Sequence, residues 1–214
     1  MGNIPIPTRI YHITHAKNLL PIIASGGLQS CQVLKDQQTA YTNIAHQGIQ
    51  DRRAIREVSC GEKGTLHDYV PFYFAPRSPM LYAILKGTVE GYQDGQCPII
   101  YLSSTVQTIQ QNSIPFVFTD GHGTNTPLTN FYTDPSDLDK LDWSVMNATY
   151  WYDTLTDGDR KRRRQAEFLV HRFFPFHLVD QIGVISELAK TLVEQTVLNL
   201  GHELVVNIRK DWYY

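Results

Sequence analysis

The sequence predicts an α+β fold in a single domain spanning residues 1–214. Three observations predict it. Short β-branched and aromatic runs of strand length are interleaved with helical patterns, without the strict alternation of a parallel α/β chain. No linker rich in Pro, Gly or Ser, no internal repeat and no low-complexity tract divides the chain. With 42% apolar residues and a net charge of −2, the composition is that of an ordinary globular protein. A chain of this length buries about 70% of its unfolded surface.

The elements follow in order. Ile10-Tyr11-His12-Ile13 reads as an extended lead-in. Asn18 then serves as N-cap of a short helix; Pro21 is tolerated in its first turn, and Gly26-Gly27 stops it. Residues 44–58 read as a helix, because no Pro interrupts them and Ile49, Arg53 and Arg56 recur at helical spacing; Gly61 and Gly64 break the pattern. Val70-Pro71-Phe72-Tyr73-Phe74 is a strand, with Pro71 placing it near an edge or a strand start. Ser78 and Pro79 open a buried helix running to Leu85. Residues 98–102 and 115–118 are short strands around a helix near 105–111. Residues 119–135 form a polar loop of about 16 residues, long enough to point to function. Leu138, Leu141 and Val145 mark an amphipathic helix. After the basic run 160–164 come strands at 166–172 and 181–185, a helix at 187–200 and a strand at 204–208.

Several classes are excluded. No run of about 18 apolar residues exists, so no membrane span is expected. Met1-Gly2-Asn3-Ile4-Pro5 lacks the basic and apolar regions of a signal peptide, and Ile6 stands where myristoylation needs Ser or Thr. Cys31, Cys60 and Cys97 are odd in number and form no CxxC pair, which fits neither a zinc site nor a disulfide framework and favours a reducing cytoplasm. No P-loop, GxGxxG or GxSxG motif is present.

Three constellations carry candidate chemistry. Arg160-Lys161-Arg162-Arg163-Arg164 repels itself and reads as a solvated stretch, either a plain surface or a phosphate-binding one. Glu167 follows at the entrance of an apolar strand, where a carboxylate is costly unless paired, used or open to solvent. Tyr11-His12-Ile13-Thr14-His15 contains an HxxH pair without a third ligand nearby, a poor metal signature; such histidines can instead hydrogen-bond a polar ligand. The aromatic stretch from Leu66 to Phe74 reads as core, or as offering Tyr73 for stacking on a flat heterocycle.

Taken in order, these segments resemble the DarT family, the toxin half of bacterial DarT–DarG modules, over nearly the whole chain. The carriers are residues 10–15, the helix from Asn18 to Gly26-Gly27-Leu28, Ile49-Gln50-Asp51-Arg52-Arg53, residues 66–74 and 77–82, Pro115-Phe116-Val117-Phe118-Thr119-Asp120 with His122, Gln165-Ala166-Glu167, and Arg209-Lys210-Asp211-Trp212-Tyr213-Tyr214. The resemblance implies an ADP-ribosyltransferase fold, with a split central β-sheet and flanking helices clamping NAD as co-substrate, and no metal. It implies transfer of ADP-ribose to thymine in single-stranded DNA with release of nicotinamide, a macrodomain antitoxin of the DarG kind as partner, and a bacterial cytoplasmic site of action. Matched residue by residue, the catalytic glutamate falls on Glu167 and the essential arginine on Arg53. Cofactor contacts fall on His12, Ile13, Thr14, Arg53 and Tyr73, and substrate contacts on Met80 and His122. The family role at Arg53 is proton acceptor from thymine N3; guanidinium chemistry favours electrostatic stabilisation of the deprotonated base. The loop 119–135 then becomes the substrate-recognition segment and the basic run a DNA-backbone contact. The segment from Gln29 to Tyr41, where the NAD-covering element begins, departs most from the family pattern. Competing readings are an ADP-ribosyltransferase acting on RNA or protein, and a non-catalytic nucleic-acid-binding module.

Overall fold

In the computed structural model, which describes residues 3–125 and 127–214, the chain opens with strand β1 (Arg9–His15). Helix α1 (Leu19–Ala24) ends at Gly26, whose φ of 82° suits a residue without Cβ. Asn18 stands at its N-cap position but makes no side-chain cap bond there. Two elements that the pattern did not announce come next, β2 (Gly27–Gln29) and α2 (Cys31–Asp36), the latter capped by the Ser30 hydroxyl accepting from Val33 N–H. Helix α3 (Gln47–Ile55) is shorter than the expected 44–58, because Arg56 turns extended and Glu57 bridges to Thr65.

Strand β3 (Tyr69–Tyr73) and helix α4 (Pro79–Leu85) follow as expected, Ser78 accepting from Leu81 N–H. So do β4 (Ile99–Thr105), α5 (Val106–Gln111) and β5 (Phe116–Thr119). The long loop contains a two-residue strand, β6 (Phe131–Tyr132), paired with β5. The helix expected around Leu138 and Val145 is split into a 3-10 segment, Pro135–Lys140, and α6 (Trp143–Met146), because Asp142 leaves the helix to cap the N–H groups of Ser144 and Val145. The basic run is helix α7 (Arg160–Arg164), followed by β7 (Glu167–His171), β8 (Phe173–Pro175), β9 (Gln181–Val184), α8 (Glu187–Asn199) and β10 (Val206–Ile208). Among the described residues no helix is long and apolar enough to cross a membrane.

Eight strands form one sheet in the order β10-β9-β4-β1-β3-β7-β5-β6, and β2 pairs with β8 in a small second sheet. One face carries the main core, with Phe72, Phe118, Phe168, Phe174 and Trp143 fully buried. The other is packed around Tyr11, Tyr101, Trp212 and Tyr213. At its centre the sheet splits. β1 pairs with β4 along its whole length, yet meets β3 only at Tyr11 and Tyr73.

This corrects the expectation that Pro71 marks an edge or a strand start: β3 is a central strand. The physical reason is retained, however. Arg172 N–H donates to Asp68 C=O, so by alternation Val70 and Phe72 bond to β7 while Pro71 faces β1, across the split, where no N–H is needed.

The expectation that five adjacent cations all remain in solvent also fails. Arg164 is buried, its guanidinium donating to the carbonyls of Pro76, Val145, Met146 and Ala148. Arg162 pairs with Asp159 at 2.7 Å and Asp120 at 3.6 Å, and Arg163 pairs with Asp142 and Asp157. Asp157 and Asp159 just before the run, together with the distant Asp120 and Asp142, absorb its charge. Lys161 alone in the run has neither a carboxylate nor a buried set of carbonyls as side-chain partner among the described residues.

Candidate active site

The split between β1 and β3 is the mouth of a cavity. Even-numbered residues of β1 bond to β4, as the flanking bonds from Val106 N–H to Thr8 C=O and from Ala16 N–H to Pro98 C=O show. Ile13 therefore turns its N–H and C=O towards the split, where β3 has already diverged. The His12 ring bridges the gap, with Nδ1 2.8 Å from Pro71 O. Burial lowers the His12 pKa to about 4, against the opposing effect of that hydrogen bond, so the ring is neutral at pH 7 and its Nδ1–H is the donor. All eight residues singled out in the sequence (His12, Ile13, Thr14, Arg53, Tyr73, Met80, His122 and Glu167) line this one cavity.

At its floor, Arg53 Nη1 donates to Glu167 Oε2 at 2.6 Å, and the two residues are only 7% and 3% exposed. The exposed, strand-end alternative for Glu167 and the solvated-surface alternative for Arg53 are thereby removed. Glu167 Oε1 accepts from Gly123 N–H at 3.0 Å. Its own N–H donates to Thr119 Oγ1, which in turn donates to Gly121 C=O. The long loop is thus tied to the strand that carries the carboxylate. A Cβ at position 123 would lie 3.2 Å from Glu167 Oε1 and 3.0 Å from Leu66, so any larger residue there pushes on the carboxylate or on Leu66.

Burial alone would raise the Glu167 pKa, but Arg53, His122 and the Gly123 N–H outweigh it and hold the carboxyl below its usual range. Burial likewise works against the Arg53 cation, and the Glu167 charge overrides it, pushing the guanidinium pKa up. One donor of the pair is unspent: Arg53 Nη2 is buried without a hydrogen-bond partner. Tyr73 sits directly opposite Glu167 in the β3–β7 register, its hydroxyl donating to Met80 Sδ at 3.7 Å. His122 Nδ1 accepts from Thr124 N–H at 3.2 Å. Burial lowers the His122 pKa despite the attraction of Glu167.

Sequence reasoning missed three contributors. Asn18, expected as a helix cap, bonds instead to Thr14 Oγ1 and to both the N–H and C=O of Thr42, pinning the segment that covers the cavity. Gln50 Oε1 receives His67 Nε2 at 3.0 Å and holds α3, and with it Arg53, against the 3-10 turn Leu66–Asp68. Gly123 carries no side-chain signal at all. Among the described residues no group of three His, Cys, Asp or Glu side chains can hold a metal ion.

A second hollow joins the first at Tyr73, Met80 and His122 and is walled by Tyr82, Tyr150, Trp151, Tyr152 and Tyr214. A third, lined by Arg52, Lys161 and Arg162, leads away on the other side of His122. A family model described as ssDNA thymidine ADP-ribosyltransferase, DarT, matches residues 11–214. The chain belongs to the DarT family. A DNA ADP-ribosyl transferase of Thermus aquaticus is 42% identical over 212 residues, covering 98% of this chain and 90% of that one. The structure of Thermus sp. 2.9 DarT in complex with ADP-ribosylated ssDNA matches with a TM-score of 0.93 at 41% identity, over 100% of this chain and 99% of that one. The same DarT in complex with NAD+ gives a TM-score of 0.89 at 39% identity, over 99% and 100%. A Thermosipho africanus fusion of a DNA ADP-ribosyl transferase with a DNA ADP-ribosyl glycohydrolase is 27% identical over 193 residues, 88% of this chain and 46% of the fusion. The α+β fold and the DarT membership expected from sequence are both confirmed.

Proposed function

We propose that this DarT-family chain transfers ADP-ribose from NAD+ to N3 of thymine in single-stranded DNA. The observation that carries the proposal is the buried Arg53–Glu167 pair, with its spare Arg53 Nη2 donor, at the floor of a cleft in a split sheet. The lining fits NAD+. The free backbone N–H and C=O of Ile13 match the carboxamide of nicotinamide, the Tyr73 ring offers a face for the pyridine, and Arg53 Nη2 offers a donor for an anionic or carbonyl oxygen.

In the reaction, the bond from ribose C1′ to nicotinamide breaks with its electron pair leaving on the neutral nicotinamide. A bond from thymine N3 to C1′ forms, and the N3 proton passes to solvent. Glu167, kept ionised by Arg53, His122 and Gly123 N–H, offers its carboxylate to the ribose hydroxyl and to the positive charge that grows at C1′, an interaction stronger in the transition state than in the ground state. Arg53 does not act as the base: guanidinium pKa values exceed about 12, and the Glu167 charge raises this one further. It instead stabilises the thymine anion electrostatically.

Of the two hollows flanking His122, one supplies stacking aromatics and the other Arg52 and Lys161, with Arg162 already paired to Asp159; this suits a single-stranded substrate, which exposes N3 without opening a duplex. A covalent mark on DNA needs reversal, and a macrodomain hydrolase of the DarG kind fits that role. The fused glycohydrolase of the Thermosipho relative supports such a partner. With that partner the chain acts as the toxin of a toxin–antitoxin pair, in the bacterial cytoplasm where DNA and NAD+ coexist.

The test is incubation with NAD+ and defined oligonucleotides, read by mass. An ADP-ribose adduct on thymine-containing single strands, with free nicotinamide, supports the proposal. Equal modification of thymine-free strands, or label from NAD+ reaching only RNA or protein, refutes it.

A further inference from the structure

We propose that Arg56 is a positioning residue that fixes His122 as a hydrogen-bond donor to the thymine, acting through the Gly123–Thr124 peptide. The inference rests on the thymine-transfer reading above. Arg56 lies just past the end of α3, where the backbone turns extended (φ −80°, ψ 109°) and carries its side chain off the helix onto the loop. Arg56 Nε donates to Gly123 C=O at 3.1 Å, while the guanidinium carbon lies 5.3 Å from the centre of the Phe131 ring. No carboxylate among the described residues pairs with it.

The same peptide unit has a second end. Its N–H, belonging to Thr124, donates to His122 Nδ1 at 3.2 Å, and Thr124 Oγ1 lies 2.7 Å from that nitrogen. Because Nδ1 accepts the N–H, it also accepts the hydroxyl, and the ring proton resides on Nε2. A cation at the carbonyl end polarises the peptide and strengthens the N–H at the other end. Arg56 therefore sets both the position of the loop and the tautomer of His122 without touching a substrate.

The consequence is selectivity. Thymine without its N3 proton presents O2, N3 and O4, an edge made only of acceptors. Cytosine places an amino donor where thymine has O4. Arg53 Nη2 and His122 Nε2–H are both donors, and His122 lines the wall shared by the catalytic cavity and the two flanking hollows. A site of donors accepts the imide anion and opposes cytosine. With the other tautomer, Nε2 would be an acceptor and that preference would vanish.

The experiment uses the full chain, with Arg56→Met, Arg56→Lys and His122→Ala. Imidazole 15N shifts of His122 report a single Nε2–H tautomer in the wild type and a mixture in Arg56→Met. Since losing one such donor outright costs about 10²-fold or more, Arg56→Met lowers kcat for thymine transfer about 10-fold, with KM for NAD+ little changed. Discrimination against cytosine narrows, and Arg56→Lys restores part of both. In the His122→Ala background, adding Arg56→Met costs less than about twofold. An unchanged His122 tautomer in Arg56→Met, or losses that simply multiply in the double variant, overturns the proposal. A wild type that forms no thymine adduct refutes the reaction instead, and the 15N comparison then still decides the role of Arg56.

Discussion

Replacing Glu167 by Ala removes one half of a buried ion pair and leaves Arg53, 7% exposed, without its counter-charge and with Nη2 already unpartnered. Breaking such a pair costs about 3–5 kcal/mol, which for a chain of this size lowers the melting temperature by about 6–20 °C. The stabilisation has a pH signature. Glu167 has a folded pKa below its unfolded value near 4.5, so the pair contributes in full above that range and loses its contribution as pH falls through the lower folded value. The double variant Arg53→Met/Glu167→Leu removes both charges and regains most of the lost stability. Activity does not follow stability: Glu167→Ala, Glu167→Gln and the double variant each lose at least about 10²-fold in transfer. Thermal melts at pH 7 and adduct formation read by mass measure the two effects separately. A Glu167→Ala protein with the wild-type melting temperature, or a Glu167→Gln protein with full transfer, would refute the reasoning.

Four further outcomes are expected. His12, with a folded pKa near 4 against about 6.5 unfolded, leaves the unfolded state binding more protons between these values, so stability falls as the pH drops across that window; denaturant melts of wild type and His12→Gln show a shallower fall in the variant. Arg164→Met takes the guanidinium from four carbonyls, of which Val145 C=O keeps the Ala148 N–H, and costs at least about 3 kcal/mol, seen as a lower melting temperature, whereas a freely solvated arginine would cost almost nothing. Lys161→Gln reduces the slope of log KM for DNA against log salt by about 0.7, the share of one phosphate on a single strand. Tyr150→Ala raises that KM about fivefold or more while leaving the slope unchanged.

The helix caps were legible because they are local. Ser78-Pro79 and Thr105 announce the starts of α4 and α5, and both hydroxyls accept the bonds expected of them. Glu167, His12 and Tyr73 stood out from the sequence as candidates, but that they share one cavity with Arg53 was legible only through resemblance. Arg53 sits in the charged stretch Asp51-Arg52-Arg53 and Glu167 lies 114 residues away, so no local pattern shows that they meet. Tertiary partners also overrode local charge: Arg162, Arg163 and Arg164 read as a solvated run, yet aspartates and carbonyls from three other segments neutralise them. Pro71 was misplaced because a split in a sheet offers a proline the same missing-donor niche as an edge. The site contacts of Gly123 and Arg56 left no mark, since one is made by a backbone N–H and the other to a backbone carbonyl; Arg56 read only as a helix residue.

Transfer to thymine N3 under control of the Arg53–Glu167 pair requires an unsubstituted N3. The measurement that tests it most directly offers wild-type protein and NAD+ two single-stranded oligonucleotides, identical except that one carries a lone thymine and the other N3-methylthymine at the same position. An ADP-ribose adduct is expected on the first and none on the second. An adduct of equal yield on the N3-methylated strand would contradict it.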